Sequence, residues 1–212
     1  IYAHSIDHRL PHVRLLDSAG GSVKTFEKLG RTYISQTDGM FLSTRMMQRV
    51  PVVSAALGSL GGLPAVEACF SHFSVMVEGI SQLFVGGPPV VKAGLGIDIT
   101  KEELGDERVQ IPNGVIDNLA RDEADALDKI RRFLSYLPRN VWEMAPRTEP
   151  VDDPERREER LRDAVPMNRR RLYDPHDILD AVLDADSFFE LSPHAGTSHI
   201  TGLARVDGYP VG

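Results

Sequence analysis

The 212 residues carry 24 Lys+Arg against 31 Asp+Glu, a formal charge of −7, with 42% hydrophobic and 26% charged residues. That composition excludes a wholly disordered chain, and the acidic balance, with no long basic stripe, excludes a dedicated nucleic-acid or anionic-membrane binder. The single cysteine, Cys69, excludes an internal disulfide framework and a CxxC zinc ribbon and fits a reducing cytosol. No apolar run approaches the ~18 residues of a membrane span, and Ile1-Tyr2-Ala3-His4 carries no signal-peptide pattern. The length suits one large domain, or one domain with part of a second. Because Ile1 stands where an initiator Met would and Val211-Gly212 follows directly on an expected strand, both ends are expected to continue in a longer chain.

In chain order, Val13–Leu16 reads as a buried strand running into Asp17-Ser18-Ala19-Gly20-Gly21. Residues 26–48 read as helical, with Gly30 and Gly39 weakening the pattern. Val50–Leu57 reads as a second buried strand, followed by Gly58, Gly61-Gly62 and Pro64, which sits in the first turn of a helix. Strands are expected at 73–77 and 82–85, the latter ending in Gly86-Gly87-Pro88-Pro89. Strand, glycine loop and helix in recurring order predict an α/β core. Thr100-Lys101-Glu102-Glu103 is a capping box, Gly105 stops the short helix it opens, and Asn113-Gly114 is a turn. A helix over 122–137 places Leu127, Ile130, Leu134 and Leu137 on one face. Its acid-first pairs, Asp125–Lys129 and Asp128–Arg132, add a few tenths of a kcal/mol each. Prolines 146, 150, 154 and 166 around a charge run at 155–160 predict a linker. Beyond it Asp174 caps a helix that buries Ile178, Leu179, Val182 and Leu183, and 200–206 reads as a strand.

The residues offer little ordinary catalytic chemistry. Histidines 4, 8, 12, 72, 176, 194 and 199 lack HxH or HExxH spacing, so no metal site is expected. No GxSxG elbow is present, Ser18 reads as a structural loop residue, and Cys69 reads as a packed core thiol. The glycine pairs remain. Gly61 and Gly62 lie between a strand and a helix start, where amides without Cβ hindrance can meet developing negative charge. A tight turn or close helix-on-sheet packing explains the pair equally well.

Several segments, in order, resemble the carboxyltransferase β subunits of biotin-dependent acyl-CoA carboxylases. They are Leu16–Gly21, Gly58–Gly62, Ser81–Lys92, Ile99–Gly105, Asn113–Asp117 and Arg131–Pro138, then Tyr173-Asp174, Phe188–Glu190 and Gly202–Gly212. The resemblance implies an α/β, crotonase-like (ClpP/crotonase) superhelix of ββα units, as a fragment of a tandem two-domain subunit. Residues 1–145 would be most of the N-terminal domain, 146–171 the charged Pro-rich linker, and 172–212 the start of the C-terminal domain.

It further implies transfer of a carboxyl group from carboxybiotin to the α-carbon of an acyl-CoA. Biotin would be carried on a partner, a biotin carboxyl carrier or biotin carboxylase subunit, with no metal in this chain. Gly61 and Gly62 would supply oxyanion donors, while Ala19, Gly20, Gly21, Gly86, Gly87 and Pro88 would line the CoA cleft. CoA contacts are also implied over 176–207. The family forms homo-oligomers with the active site between subunits, in the cytoplasm or, in eukaryotes, the mitochondrial matrix. This chain departs from the family pattern at Leu63, Pro64, His72, Asp106, Gln110 and Asn113. A decarboxylase subunit of the same fold and a non-catalytic scaffold are the competing readings. A CoA-dependent hydratase would need two cleft glutamates, and only Glu67 lies close behind the glycine turn.

Overall fold

The computed structural model of the chain describes residues 1–21, 23–31, 38–153 and 155–212. Helix α1 (Tyr2–His8) leads into strand β1 (His12–Leu16), followed by α2 (Val23–Leu29) and α3 (Asp38–Met47). The helix expected over 26–48 is therefore two, and residues 32–37 lie outside the described ones. Two strand–strand–helix units come next. They are β2 (Val52–Ala56), β3 (Ser59–Gly61) and α4 (Leu63–Cys69), then β4 (Phe73–Val77), β5 (Gln82–Phe84) and α5 (Pro88–Leu95). Short helices α6 (Lys101–Gly105) and α7 (Glu107–Gln110) precede β6 (Asn118–Ala120) and α8 (Glu123–Ser135). After a stretch with one 3₁₀ turn at Glu159–Arg162 come α9 (Pro175–Val182), β7 (Phe189–Leu191), β8 (Thr201–Val206) and β9 (Tyr209–Val211).

Strands pair in the order β1-β2-β4-β6, all parallel, while β3 and β5 form a second parallel pair. Parallel neighbours need crossovers, which the intervening helices supply. Both β2 and β4 are buried along their whole length, which is why each reads as a continuous apolar run. The single closing strand expected at 200–206 is the centre of an antiparallel sheet, β7-β8-β9.

The main core joins Val53, Ala55, Phe73, Val75 and Val77 to Ala126, Ile130 and Phe133 of α8 and to Phe189 of β7. Phe73 stacks on Phe133 at 4.9 Å and meets Phe189 edge-on at 5.4 Å. These rings turn α8 slightly from its expected orientation. Ala126 and Phe133 are fully buried beside Ile130, whereas Leu134 and Leu137 pack only at the margin. Asp125 and Lys129 pair at 2.7 Å as expected. Asp128 instead pairs with Arg131 at 2.8 Å, because Arg132 donates to the carbonyls of Asp186 and Phe188. In α9 the buried residue is Ala181, and Val182 is 53% exposed. Buried Arg205 is held by the carbonyls of Ser135, Pro146 and Gly208, so residues before and after 146–171 interlock.

Arg14 is also buried, and among the described residues it forms no ion pair. Its guanidinium donates at 2.7 Å to the carbonyls of Glu67 and Phe70, and also to Ser43 Oγ. A buried cation is tolerable only when hydrogen-bonded, and these bonds fasten the C-terminal end of α4 to β1 and α3. The opposite end of α4 faces the glycines.

Candidate active site

Three loops meet beyond the ends of β1, β3 and β5. The Gly61 N–H donates to Ser18 O at 3.1 Å, and the Gly62 N–H donates to Phe84 O at 3.0 Å. A Cβ on Gly20 would stand 2.8 Å from Gly61 O, and one on Gly61 would stand 2.8 Å from Ala19 O. Backbone lies directly on backbone here, and only glycine permits it. The Phe84 ring lies 3.3 Å from a Cβ on Gly61 and 3.4 Å from one on Gly87. Gly61 and Gly87 thus share one aromatic ring, while Ala19 and Gly20 press on the backbone of Gly61. Gly21 has nothing within 4 Å, Gly86 faces Val90, and Pro88 opens α5.

The bonds correct the expectation that Gly61 and Gly62 offer two free donors. Both N–H groups are already engaged by chain carbonyls, so close packing accounts for the pair. Gly62 also has φ +69° and ψ −127°, a conformation reserved for glycine. Nor do the helix starts add the usual donors. Pro64 follows Leu63 in α4, and Pro88-Pro89 open α5, so those positions carry no N–H. Among the described residues, the N–H groups of Ala19, Gly20, Gly21, Leu63, Gly86 and Gly87 have no acceptor in the chain. Sequence reasoning missed Leu63, whose side chain gave no sign of its amide.

Cys69 is a second correction. It is exposed rather than packed in the core, on the last turn of α4, and partial burial still pushes its thiol pKa up. It was misjudged because its apolar neighbours line a groove open to solvent rather than a closed core.

The departures from the family pattern have local explanations. His72 Nδ1 accepts the Val52 N–H at 3.0 Å, which ties the start of β4 to the start of β2. Asp106, 3% exposed, caps α7 through the Arg108 N–H and pairs with the Arg108 side chain, which holds its carboxyl below the usual range. Gln110 Nε2 donates to Leu83 O at 2.8 Å, and its Oε1 accepts from Asn113 Nδ2. Among the described residues no group of three or more His, Cys, Asp or Glu is placed to hold a metal ion.

Over 176–207, His176 bridges two carboxylates, Nδ1 to Asp174 Oδ1 and Nε2 to Glu190 Oε2, each at 2.9 Å. The hydrogen bond to Glu190, then that to Asp174, raises its pKa above the usual 6.5. A raised folded pKa means the bridge's stabilisation is full below about pH 6.5 and is lost as pH rises through the folded value. Urea unfolding should therefore show wild type exceeding His176→Gln most at pH 5.5, with the gap closing by pH 9. A gap that widens with pH would refute this assignment.

Residues 2–212 match the family model described as Carboxyl transferase domain. The chain belongs to the carboxyl transferase domain family. It is 36% identical over 207 residues, 95% of its length, to the propionyl-CoA carboxylase carboxyltransferase subunit of Haloferax mediterranei. It is 34% identical over 173 residues, 81% of its length, to the methylmalonyl-CoA decarboxylase subunit alpha of Veillonella parvula. The match spans 39% of the first relative and 34% of the second. Among solved structures, transcarboxylase 12S with hydrolysed methylmalonyl-coenzyme A bound superposes with a TM-score of 0.84 at 25% identity. That match covers 99% of this chain and 41% of the other. The carboxyl transferase domain thus has the expected crotonase-like α/β fold. Among the described residues no helix is long and apolar enough to cross a membrane.

Proposed function

We propose that the protein carries out carboxyl transfer between biotin and the α-carbon of an acyl-CoA, as part of a biotin-dependent acyl-CoA carboxylase. The observation that carries this reading is the glycine cluster, where three adjoining loops leave the N–H groups of Gly20, Gly21, Leu63, Gly86 and Gly87 without an acceptor in the chain. Preorganised backbone donors suit a thioester carbonyl that becomes an enolate, and they need no charged side chain. Biotin, borne on a carrier or biotin carboxylase partner, supplies the carboxyl group when bound. The chain's own work is to hold the thioester, orient its α-carbon and keep water away.

In this reading Ala19, Gly20, Gly21, Gly86, Gly87 and Pro88 line the CoA cleft. Residues 1–145 and 172–212 belong to two successive domains joined by 146–171. The site is completed between subunits of a homo-oligomer, in the cytoplasm or, in a eukaryote, the mitochondrial matrix. The test is carboxylation of acetyl-, propionyl- and branched acyl-CoA by the full-length protein with its biotin-bearing partner. Acyl-CoA-dependent fixation of labelled bicarbonate is the expected result, and its absence with every acyl-CoA would contradict the proposal. The likeness to a methylmalonyl-CoA decarboxylase subunit favours one second reading, the same transfer run from a dicarboxylic acyl-CoA to biotin. Release of labelled CO2 from methylmalonyl-CoA without bicarbonate fixation would select it.

A further inference from the structure

Histidines 4, 8 and 12 recur every four residues, and the fold separates the last from the other two. His12 lies in β1, buried, with its Nδ1 against Ser5 Oγ at 3.0 Å and its ring edge-on to Tyr2 at 5.2 Å. His4 and His8 lie one turn apart on α1, and both are exposed. Their ring centroids are 4.3 Å apart, with 48° between the ring planes. Among the described residues neither ring has a hydrogen-bond or ion-pair partner, so each meets only the other. The opposite face of α1 packs Ile6 with Met46, Val50 and Val52, which anchors the helix that carries the pair.

We propose that His4 and His8 form a chelating site for a borderline divalent transition ion, of the class of Ni2+, Cu2+ and Zn2+. The proposal is independent of the carboxyl-transfer reading, and it goes against the sequence expectation of a chain without metal. Residues four apart on a helix stand side by side, and each neutral imidazole offers one nitrogen lone pair. Two imidazoles on one ion, with metal–nitrogen bonds of ~2.0 Å, have their centroids about 4.5–5 Å apart. From 4.3 Å the rings reach that arrangement by a small rotation of two exposed side chains, which disturbs no packing. Water completes the coordination, since among the described residues no group of three or more His, Cys, Asp or Glu is placed to hold an ion. Two nitrogen ligands select against Mg2+ and Ca2+, which take oxygen ligands, and rank Co2+ below Ni2+ and Ni2+ below Cu2+. The bound ion closes one turn of a seven-residue helix, a length that is marginal in isolation.

Calorimetric titration of Ni2+ into the full-length protein tests the site, with His4→Asn and His8→Asn beside wild type. Losing either imidazole removes the second, intramolecular bond, so each variant should bind Ni2+ at least about tenfold more weakly. Without metal both variants should melt as wild type does, because the two side chains are exposed and bond no other neighbour. Ni2+ should slow amide exchange along α1 in wild type and leave it unchanged in both variants. Mg2+ in about a hundredfold excess should not displace the Ni2+. Binding as tight in both variants as in wild type would put the ion elsewhere on the protein. Loss in one variant alone would put it on a single histidine with other ligands. Either result would overturn the proposal, and so would wild-type protein that binds no Ni2+.

Discussion

Phe73→Ala should lower the stability of the protein by about 4 kcal/mol, or roughly 12 °C in Tm, measured by urea and thermal unfolding. Phe73 is fully buried on β4 and touches both Phe133 of α8 and Phe189 of β7. Its removal leaves a cavity between the parallel sheet and the segment beyond 172, and neither neighbour can collapse into it without breaking other contacts. Arg132, 5.5 Å from the Phe189 ring and bonded to Phe188 O, fixes that side of the cavity. Tyr136, whose hydroxyl donates to Ser187 O, fixes it further. Proteolysis after 146–171 should accelerate in the variant, since β7 loses its anchor. A loss below about 1 kcal/mol would mean that the two parts fold independently.

Adjacent glycines should respond in opposite ways. Gly20→Ala should cost about 3 kcal/mol, because φ is +93° and the new Cβ would stand 2.8 Å from the backbone oxygen of Gly61. A backbone carbonyl cannot give way as the far end of a flexible side chain can. Gly21→Ala meets nothing within 4 Å and has no positive φ, so its stability should stay within about 0.5 kcal/mol of wild type. Gly62→Val should follow Gly20→Ala, with melting temperature falling through backbone strain. If Gly21→Ala melts as low as Gly20→Ala, the cluster is not held by backbone-on-backbone contact.

What the sequence made legible was local. Thr100 and Glu103 form the full capping box, with Glu103 N to Thr100 Oγ1 at 3.1 Å and the reciprocal Thr100 N–H to Glu103 Oε2 at 2.9 Å. Asp174 caps α9 as its position predicts, and the apolar runs at 52–56 and 73–77 are the two central strands. Family resemblance extended this to the fold, because collinear motifs carry information that no single window holds. The rest depends on partners distant in sequence. Whether the Gly62 N–H is free is decided by Phe84 O, and Cys69 is left open because it lines a groove with Val85 and Val115 rather than a closed core. No periodicity reports either. Arg14 gave no signal at all, since a lone arginine in a strand does not announce three acceptors on α3 and α4.

On the proposed reading, Gly61 and Gly62 build the cleft while neighbouring amides serve the ligand. Amide hydrogen exchange on the full-length protein, with and without saturating CoA, tests it most directly. The Gly61 and Gly62 amides should be slow in both states, because Ser18 O and Phe84 O already hold them. The amides of Gly20, Gly21, Gly86 and Gly87 should exchange fast alone and slow with CoA. Fast exchange at Gly61 and Gly62 that slows only with CoA, and no change at the other four, would contradict the account.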